Sequence, residues 1–169
     1  MSTMSKTHKP IGGLRLKIRC ARADDVDNID SIVNQFWKPD VDHLVELQNE
    51  KSVLLVAEKI GYAYYVEPRL IGTALMKIIG WNKTGYLAEL AVHKNYQRRG
   101  VATAILRELA QRAKKEGLRA IITETQPANR PAMDFYLKSG FRLCGYSDRY
   151  YTNTPRSSDQ IALFFSLDI

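Results

Sequence analysis

The chain is poor in the residues that hold metals. Two cysteines in 169 residues, Cys20 and Cys144, cannot form a zinc site by themselves. They sit in Ile18-Arg19-Cys20 and Leu143-Cys144-Gly145, where both are expected as buried small hydrophobes inside strands. The three histidines, His8, His43 and His93, have no metal-ligand spacing, so no metal is expected. No apolar run approaches the roughly 20 residues of a membrane span. Residues 1–10 carry no hydrophobic h-region, so a secretory signal is not expected and the cytoplasm is. Internal repeats and low-complexity segments are also missing. The Lys-Ser/Thr of a Walker loop is absent, which argues against Mg-nucleotide hydrolysis. The three-glycine dinucleotide fingerprint is absent too. Without a long Lys/Arg block or an aromatic-basic repeat, nucleic acid is not an expected partner.

What is present describes a globular protein, 45% hydrophobic and 25% charged. Its length favours one domain, able to bury about 70% of the unfolded surface. Residues 1–13 are expected as a flexible tail before a single domain at 14–169. The formal net charge of +7 suits an anionic cofactor. Acids do gather locally, however: Asp24, Asp25, Asp27, Asp40, Asp42, Glu46 and Glu50 crowd the stretch after the first strand.

Leu14 to Cys20 alternates apolar and basic residues, which predicts a half-buried strand. Asp24 or Asp25 caps a helix whose Val26, Ile29, Ile32, Val33 and Phe36 share one face. Val41, Leu44, Val45 and Leu47 predict a second short helix. Strands follow at Val53–Ala57, Leu70–Ile79 and Tyr86–Val92, with a tyrosine-rich connection (Tyr62, Tyr64, Tyr65) before the second and a turn at Trp81–Gly85 before the third. The clearest helix runs from Ala102 to Lys115. Ile105, Leu106, Leu109, Ala110 and Ala113 face inward, while Arg107, Glu108, Gln111, Arg112, Lys114 and Lys115 face water. After a strand at Ala120–Glu124 comes a helix over Arg130–Lys138, closed by Gly140. Strands at Phe141–Tyr146 and Ile161–Leu167 flank a polar loop with Pro155, Ser157 and Ser158. Alternating strands and helices in the second half predict an α/β domain with at least one parallel pairing.

Between the strand ending at Val92 and the long helix lies Gln97-Arg98-Arg99-Gly100-Val101-Ala102. A strand, a short basic turn and a helix start aim unpaired backbone N–H groups at an anion. The helix dipole adds about half a positive charge there. Gly100 lets backbone approach a ligand closely, and Arg98 and Arg99 add charge that does not titrate. These six residues are read as a diphosphate clamp. A solvated basic turn is the alternative.

Further on come Glu124-Thr-Gln-Pro-Ala-Asn129, then Phe135-Tyr136 and Gly140-Phe141. At this distance from a Gln/Arg-x-x-Gly-x-Ala loop, the pattern resembles the GNAT N-acetyltransferase superfamily. Trp81-Asn82, Tyr151 and Ile161-Ala-Leu-Phe-Phe165 make it most similar to streptothricin acetyltransferases. The likeness covers roughly residues 70–165. It implies acetyl-CoA as cofactor and an α/β (α+β) single domain. The sheet would be twisted, mixed and mostly antiparallel, of six to seven strands flanked by about four helices. It also implies that backbone groups of Leu90, Ala91 and Val92 hold the pantetheine as an added strand. Asn129 is expected to hydrogen-bond the cofactor or to cap its helix.

Acetylating an amine first requires removing a proton from an ammonium of pKa near 10, about 4 kcal/mol at pH 7. Glu89 is the candidate base. On an alternating strand it points with Leu87 and Ala91, opposite Leu90. A surface or salt-bridged glutamate is the alternative. Streptothricin enzymes carry a Glu-Asp pair here, and this chain has Ala88-Glu89. The resemblance assigns the proton donor for the leaving thiol to Tyr136. Tyr62, Tyr64, Tyr65 and Trp81 are candidates for the acceptor pocket. The expected acceptor is a small-molecule amine, a streptothricin-like antibiotic among them. A protein N-terminus or lysine, and a non-catalytic CoA-binding module, are the alternatives. The sequence leaves the oligomeric state open, a homodimer included.

Overall fold

A computed structural model describes residues 6–7, 13–38, 42–60, 70–152 and 160–169. Its strands are β1 Lys6–Thr7, β2 Arg15–Cys20, β3 Ser52–Ile60, β4 Leu70–Ile79, β5 Thr84–Val92, β6 Ala120–Thr125, β7 Arg142–Ser147 and β8 Ala162–Asp168. Its helices are α1 Val26–Val33, α2 His43–Gln48, α3 Val101–Lys115 and α4 Arg130–Lys138. All eight strands form one sheet in the order β1-β2-β3-β4-β5-β6-β8-β7. Every neighbouring pair is antiparallel except β5 and β6. The mixed, mostly antiparallel sheet and the single parallel pairing match the expectation. The two-residue β1 supplies the eighth strand: Lys6 and Thr7, within the expected tail, pair with Ile18 and Lys17.

The sheet is covered on both faces. Ile105, Leu106 and Leu109 of α3 and Tyr136 of α4 pack with Leu16, Ile18, Ala74, Met76, Leu87 and Phe165. On the other face, Ile29, Ile32 and Val33 of α1 pack with Leu54, Val56, Leu75 and Ala91. Both helix faces carry apolar residues at 3.6-residue spacing, and burying them supplies most of the helix stability. Among the described residues no helix is long and apolar enough to cross a membrane.

Several sequence expectations change here. The first helix ends at Val33, so Phe36 falls beyond its periodic face and is 39% exposed. In α2 the apolar residues Leu44 and Val45 face out, and His43 is the buried one. Asp42 caps this helix, its Oδ1 accepting from Leu44 N and Val45 N. Val41, the tyrosines at 62, 64 and 65, and the loop with Pro155, Ser157 and Ser158 lie outside the described residues. Glu108, placed on the wet face of α3, is buried and accepts from Arg112 Nε at 3.1 Å. It sits at the margin of the apolar stripe, next to Leu109. Cys144 is exposed because β7 is the outer strand, and β8 has inserted between it and β6. Cys20 is partly exposed, with its sulfur 3.0 Å from Arg112 Nη1.

Candidate active site

The loop before α3 has the backbone of an anion site. Arg98 and Gly100 both have positive φ, +59° and +78°, and Gly100 is the N-cap residue of α3. The first helical bond of α3 is Ala104 N–H to Gly100 C=O. Among the described residues the N–H groups of Arg98 to Thr103 have no acceptor. Gln97 ties the loop down, its Nε2 donating to Val92 C=O at 3.3 Å. Arg99 lies over the Tyr96 ring, 5.7 Å from its centroid. Val101 is buried and anchors the first helical turn, with Ala102 half-buried beside it.

Beside this loop the sheet splits. The parallel register of β5 with β6 covers only Thr84–Tyr86. From Leu87 to Val92, β5 has β4 on one side and no strand on the other. His93 N–H donates to Ile71 C=O, which fixes the alternation along this antiparallel ladder. Ala91 therefore spends its backbone groups on Thr73 of β4, and those of Leu90 and Val92 point into the gap. The Val92 carbonyl is the one that Gln97 reaches. Of the three backbones expected to meet a cofactor, Leu90 and Val92 are so oriented and Ala91 is not.

Glu89 shares a side of the strand with Ala91 and lies opposite Leu90, as alternation predicts, but it is not on the side of Leu87. Leu75 pairs with Glu89 and Met76 with Leu87, which leaves Ala88 as an extra, bulged residue. Leu87 consequently joins the core under α3, while Glu89 turns to the α1–α2 face with Ala91. There it is buried. Its Oε2 lies 2.8 Å from His43 Nε2, and His43 Nδ1 lies 2.6 Å from Asp30 Oδ1. Its Oε1 is buried without a hydrogen-bond partner. An orphaned acceptor of this kind costs on the order of 1–3 kcal/mol.

Carboxylate oxygens face both nitrogens of His43, so the imidazolium, with two donors, is the form that makes both bonds. The hydrogen bond that Glu89 accepts raises the His43 pKa most, burial opposes it, and Asp30 adds to the rise. Sequence reasoning missed His43. Metal-ligand spacing is the wrong test for a histidine whose partners are carboxylates 13 and 46 positions away. The available signal was a polar residue directly after a capping Asp, inside an apolar stretch.

Tyr136 of α4 is buried against Phe135, Phe141 and Phe165, with ring centroids 5.3–5.8 Å away. Burial raises its pKa, a hydrogen bond with Thr123 opposes the rise, and Glu124 adds to it, so the phenol stays protonated. Thr123 Oγ1 also donates to Leu87 C=O at 3.0 Å, where β5 and β6 begin to part. Glu124, on the opposite face of β6, accepts from Tyr86 Oη at 2.6 Å. Tyr150 Oη lies 2.8 Å from Tyr86 Oη, and Tyr151 packs edge-on against Tyr150. Glu89, Tyr86 and Glu124 thus share the face opposite α3.

Asn129 caps α4, its Oδ1 accepting from Ala132 N at 3.3 Å. Trp81 is 88% exposed on the hairpin at the far end of β5 from Val92, away from these groups. Among the described residues no cluster of His, Cys, Asp and Glu is arranged to hold a metal.

Acetyl-CoA fits these groups. Its pantetheine arm is a chain of amides, matched by the open edge at Leu90 and Val92. Its diphosphate suits a loop of unpaired N–H groups that also carries Arg98 and Arg99. Comparison with known proteins agrees. The model of the Acetyltransferase (GNAT) family matches residues 26–141. Streptothricin acetyltransferase A of Bacillus subtilis is 32% identical over 107 residues, 63% of this chain; the aligned part is 61% of that relative, less than two thirds of its length. An N-alpha-acetyltransferase of Sulfurisphaera tokodaii is 31% identical over 153 residues, 83% of this chain and 89% of its own. Two solved structures share the fold. One, from Bacillus anthracis and in complex with acetyl coenzyme A, has a TM-score of 0.73 at 23% identity, covering 91% of this chain and 99% of its own. The other, Arabidopsis thaliana NAA60 with a bisubstrate analogue, has a TM-score of 0.77 at 18% identity, with coverage of 91% and 99%. The chain belongs to the Acetyltransferase (GNAT) family, a family of acetyl-CoA-dependent acyltransferases.

Proposed function

We propose that this chain moves an acetyl group from acetyl-CoA directly to a primary amine of a small molecule. The observation that carries the reading is Glu89, a buried carboxylate with one unpaired oxygen beside the open edge of β5. When bound, acetyl-CoA supplies a thioester carbonyl open to attack. The N–H groups of residues 98–103 hold the diphosphate, with Arg98 and Arg99 as counter-charges and Gln97 bracing the loop. Leu90 and Val92 pair with the pantetheine through their backbones. Glu89 takes the ammonium proton, directly or through one water, and so gives the deprotonation, which costs roughly 4 kcal/mol at pH 7, a positioned acceptor. Tyr136, kept protonated by burial, would donate a hydrogen bond to the departing sulfur.

The acceptor side favours a cationic amine. Glu89 and Glu124 are carboxylates on one face, with Tyr86 and Tyr150 as aromatic walls. This offsets locally the overall charge of +7. A streptothricin-like antibiotic is the first candidate, in keeping with the similarity to streptothricin acetyltransferase A. A protein N-terminus is the second, because the Sulfurisphaera N-alpha-acetyltransferase aligns over more of this chain.

Thiol release from acetyl-CoA across a panel of streptothricin, other cationic amines, N-terminal peptides and lysine peptides tests both. The highest kcat/KM is expected with a small cationic amine. Preference for free N-termini would select the second reading. Tight CoA binding with no turnover on any amine would make the protein a regulatory CoA-binding module.

A further inference from the structure

We infer that His43 and Asp30 are positioning residues for Glu89: the ring, oriented by Asp30, holds Oε2 and leaves Oε1 as the oxygen that accepts the proton. The inference rests on the reading of Glu89 as proton acceptor given above. Three elements contribute one residue each, Asp30 from α1, His43 from α2 and Glu89 from β5. The His43 side chain is fully buried, that of Glu89 is 3% exposed and that of Asp30 is 43% exposed. The contacts therefore run from the buried carboxylate to the surface.

No other charged group of the described residues is seen at the ring. Glu46, on the same helix, turns away to Ser52 and Lys77. Placing two carboxylates and one imidazolium between helix and sheet is not an economical way to dock α2. Apolar side chains of similar volume hold such a contact as well or better. Nor does the arrangement satisfy all of its own atoms, since Oε1 stays unpaired. What it does achieve is geometric. The ring nitrogen holds Oε2, and the oxygen left to accept the proton is Oε1.

The test compares wild type, His43→Ala, His43→Gln, Asp30→Asn and Glu89→Gln. It measures kcat and KM for the best amine, together with CoA affinity and melting temperature. His43→Ala is expected to lower kcat about tenfold or more with CoA affinity kept. His43→Gln retains a neutral donor for Oε2 and recovers part of that rate. In both, kcat changes more than KM for the amine, because what is lost is the orientation of the base. Asp30→Asn lowers kcat in the same way by less. A purely structural role would lower melting temperature without this split between kcat and KM and without recovery in His43→Gln. If His43→Ala does not fold, His43→Gln and Asp30→Asn read the same split. Wild-type kcat in folded His43→Ala, or in His43→Gln and Asp30→Asn where it does not fold, with Glu89→Gln inactive, overturns the positioning role alone. Full turnover in Glu89→Gln overturns the proton-acceptor reading, and the positioning role falls with it.

Discussion

Gly72 of β4 and Val101 of α3 meet where no side chain fits between them: a Cβ on Gly72 would lie 3.1 Å from Val101 Cγ1 and 3.0 Å from Ile105 Cδ1. The same glycine pairs with Val92 at the end of β5. One residue thus sets the distance from the open strand edge to the loop that precedes α3. Gly72→Ala is expected to cost about 1–3 kcal/mol of stability through overpacking and to weaken CoA binding several-fold. Thermal melts and CoA titration measure the two effects. Reduced stability with unchanged affinity would show that the loop keeps its place without this contact.

Gly100 adds a separate constraint. Its φ of +78° is left-handed backbone, so a Cβ there is strained by about 1–2 kcal/mol whatever space surrounds it. Gly100→Val is expected to raise the Kd for CoA far more than Arg99→Gln does. The reverse order in a titration would mean that side-chain charge, not exposed backbone, holds the diphosphate.

Two buried ionic contacts give stability an optimum in pH. Asp25 receives a bidentate bond from Arg19, at 2.6 and 2.9 Å. That bond holds its carboxyl below the ordinary 3.8, with burial opposing and Arg22 N–H helping. Its contribution is complete above about 3.8 and is lost as pH falls through the depressed value. The pKa of His43 is raised by Glu89 first, so its contribution is complete below the ordinary 6.5 and is lost as pH rises through the raised value. Melting temperature should be highest between these limits and fall on either side. Asp25→Asn should flatten the acid side, and His43→Gln the alkaline side. A calorimetric profile that keeps both limbs in both variants would assign them to other groups.

Tyr136→Phe keeps the ring contacts with Phe135, Phe141 and Phe165 and removes only the hydroxyl. Stability should change by about 1 kcal/mol, the size of one hydrogen bond. Turnover should fall about a hundredfold if the hydroxyl hydrogen goes to the leaving sulfur. Single-turnover kinetics separate this step from product release, and an unchanged rate would remove Tyr136 from the chemistry.

Much of this protein is written locally. Alternation in residues 14–20, the apolar stripes of α1 and α3 and the closure of α4 at Gly140 are legible in the sequence, and the Asn129 cap is one of its two readings. Each depends on neighbours within about four positions, the range over which helix and turn geometry is set. The basic-glycine loop is legible for the same reason, since its chemistry is its own backbone.

The acceptor side is different. Ala88 bulges because of how β5 registers against β4, and the bulge turns Glu89 away from Leu87 to the opposite face. His43 turns inward because two carboxylates, from α1 and β5, converge at one place. β8 slips between β6 and β7, which leaves Cys144 on an open edge. No local period encodes these choices, because the partners come together only when sheet register and layer packing are complete. The sequence by itself determined the basic-glycine loop before α3 and the elements that carry it. Tertiary structure decided which oxygen of Glu89 is left without a partner, because only packing across 46 positions brings His43 to the other.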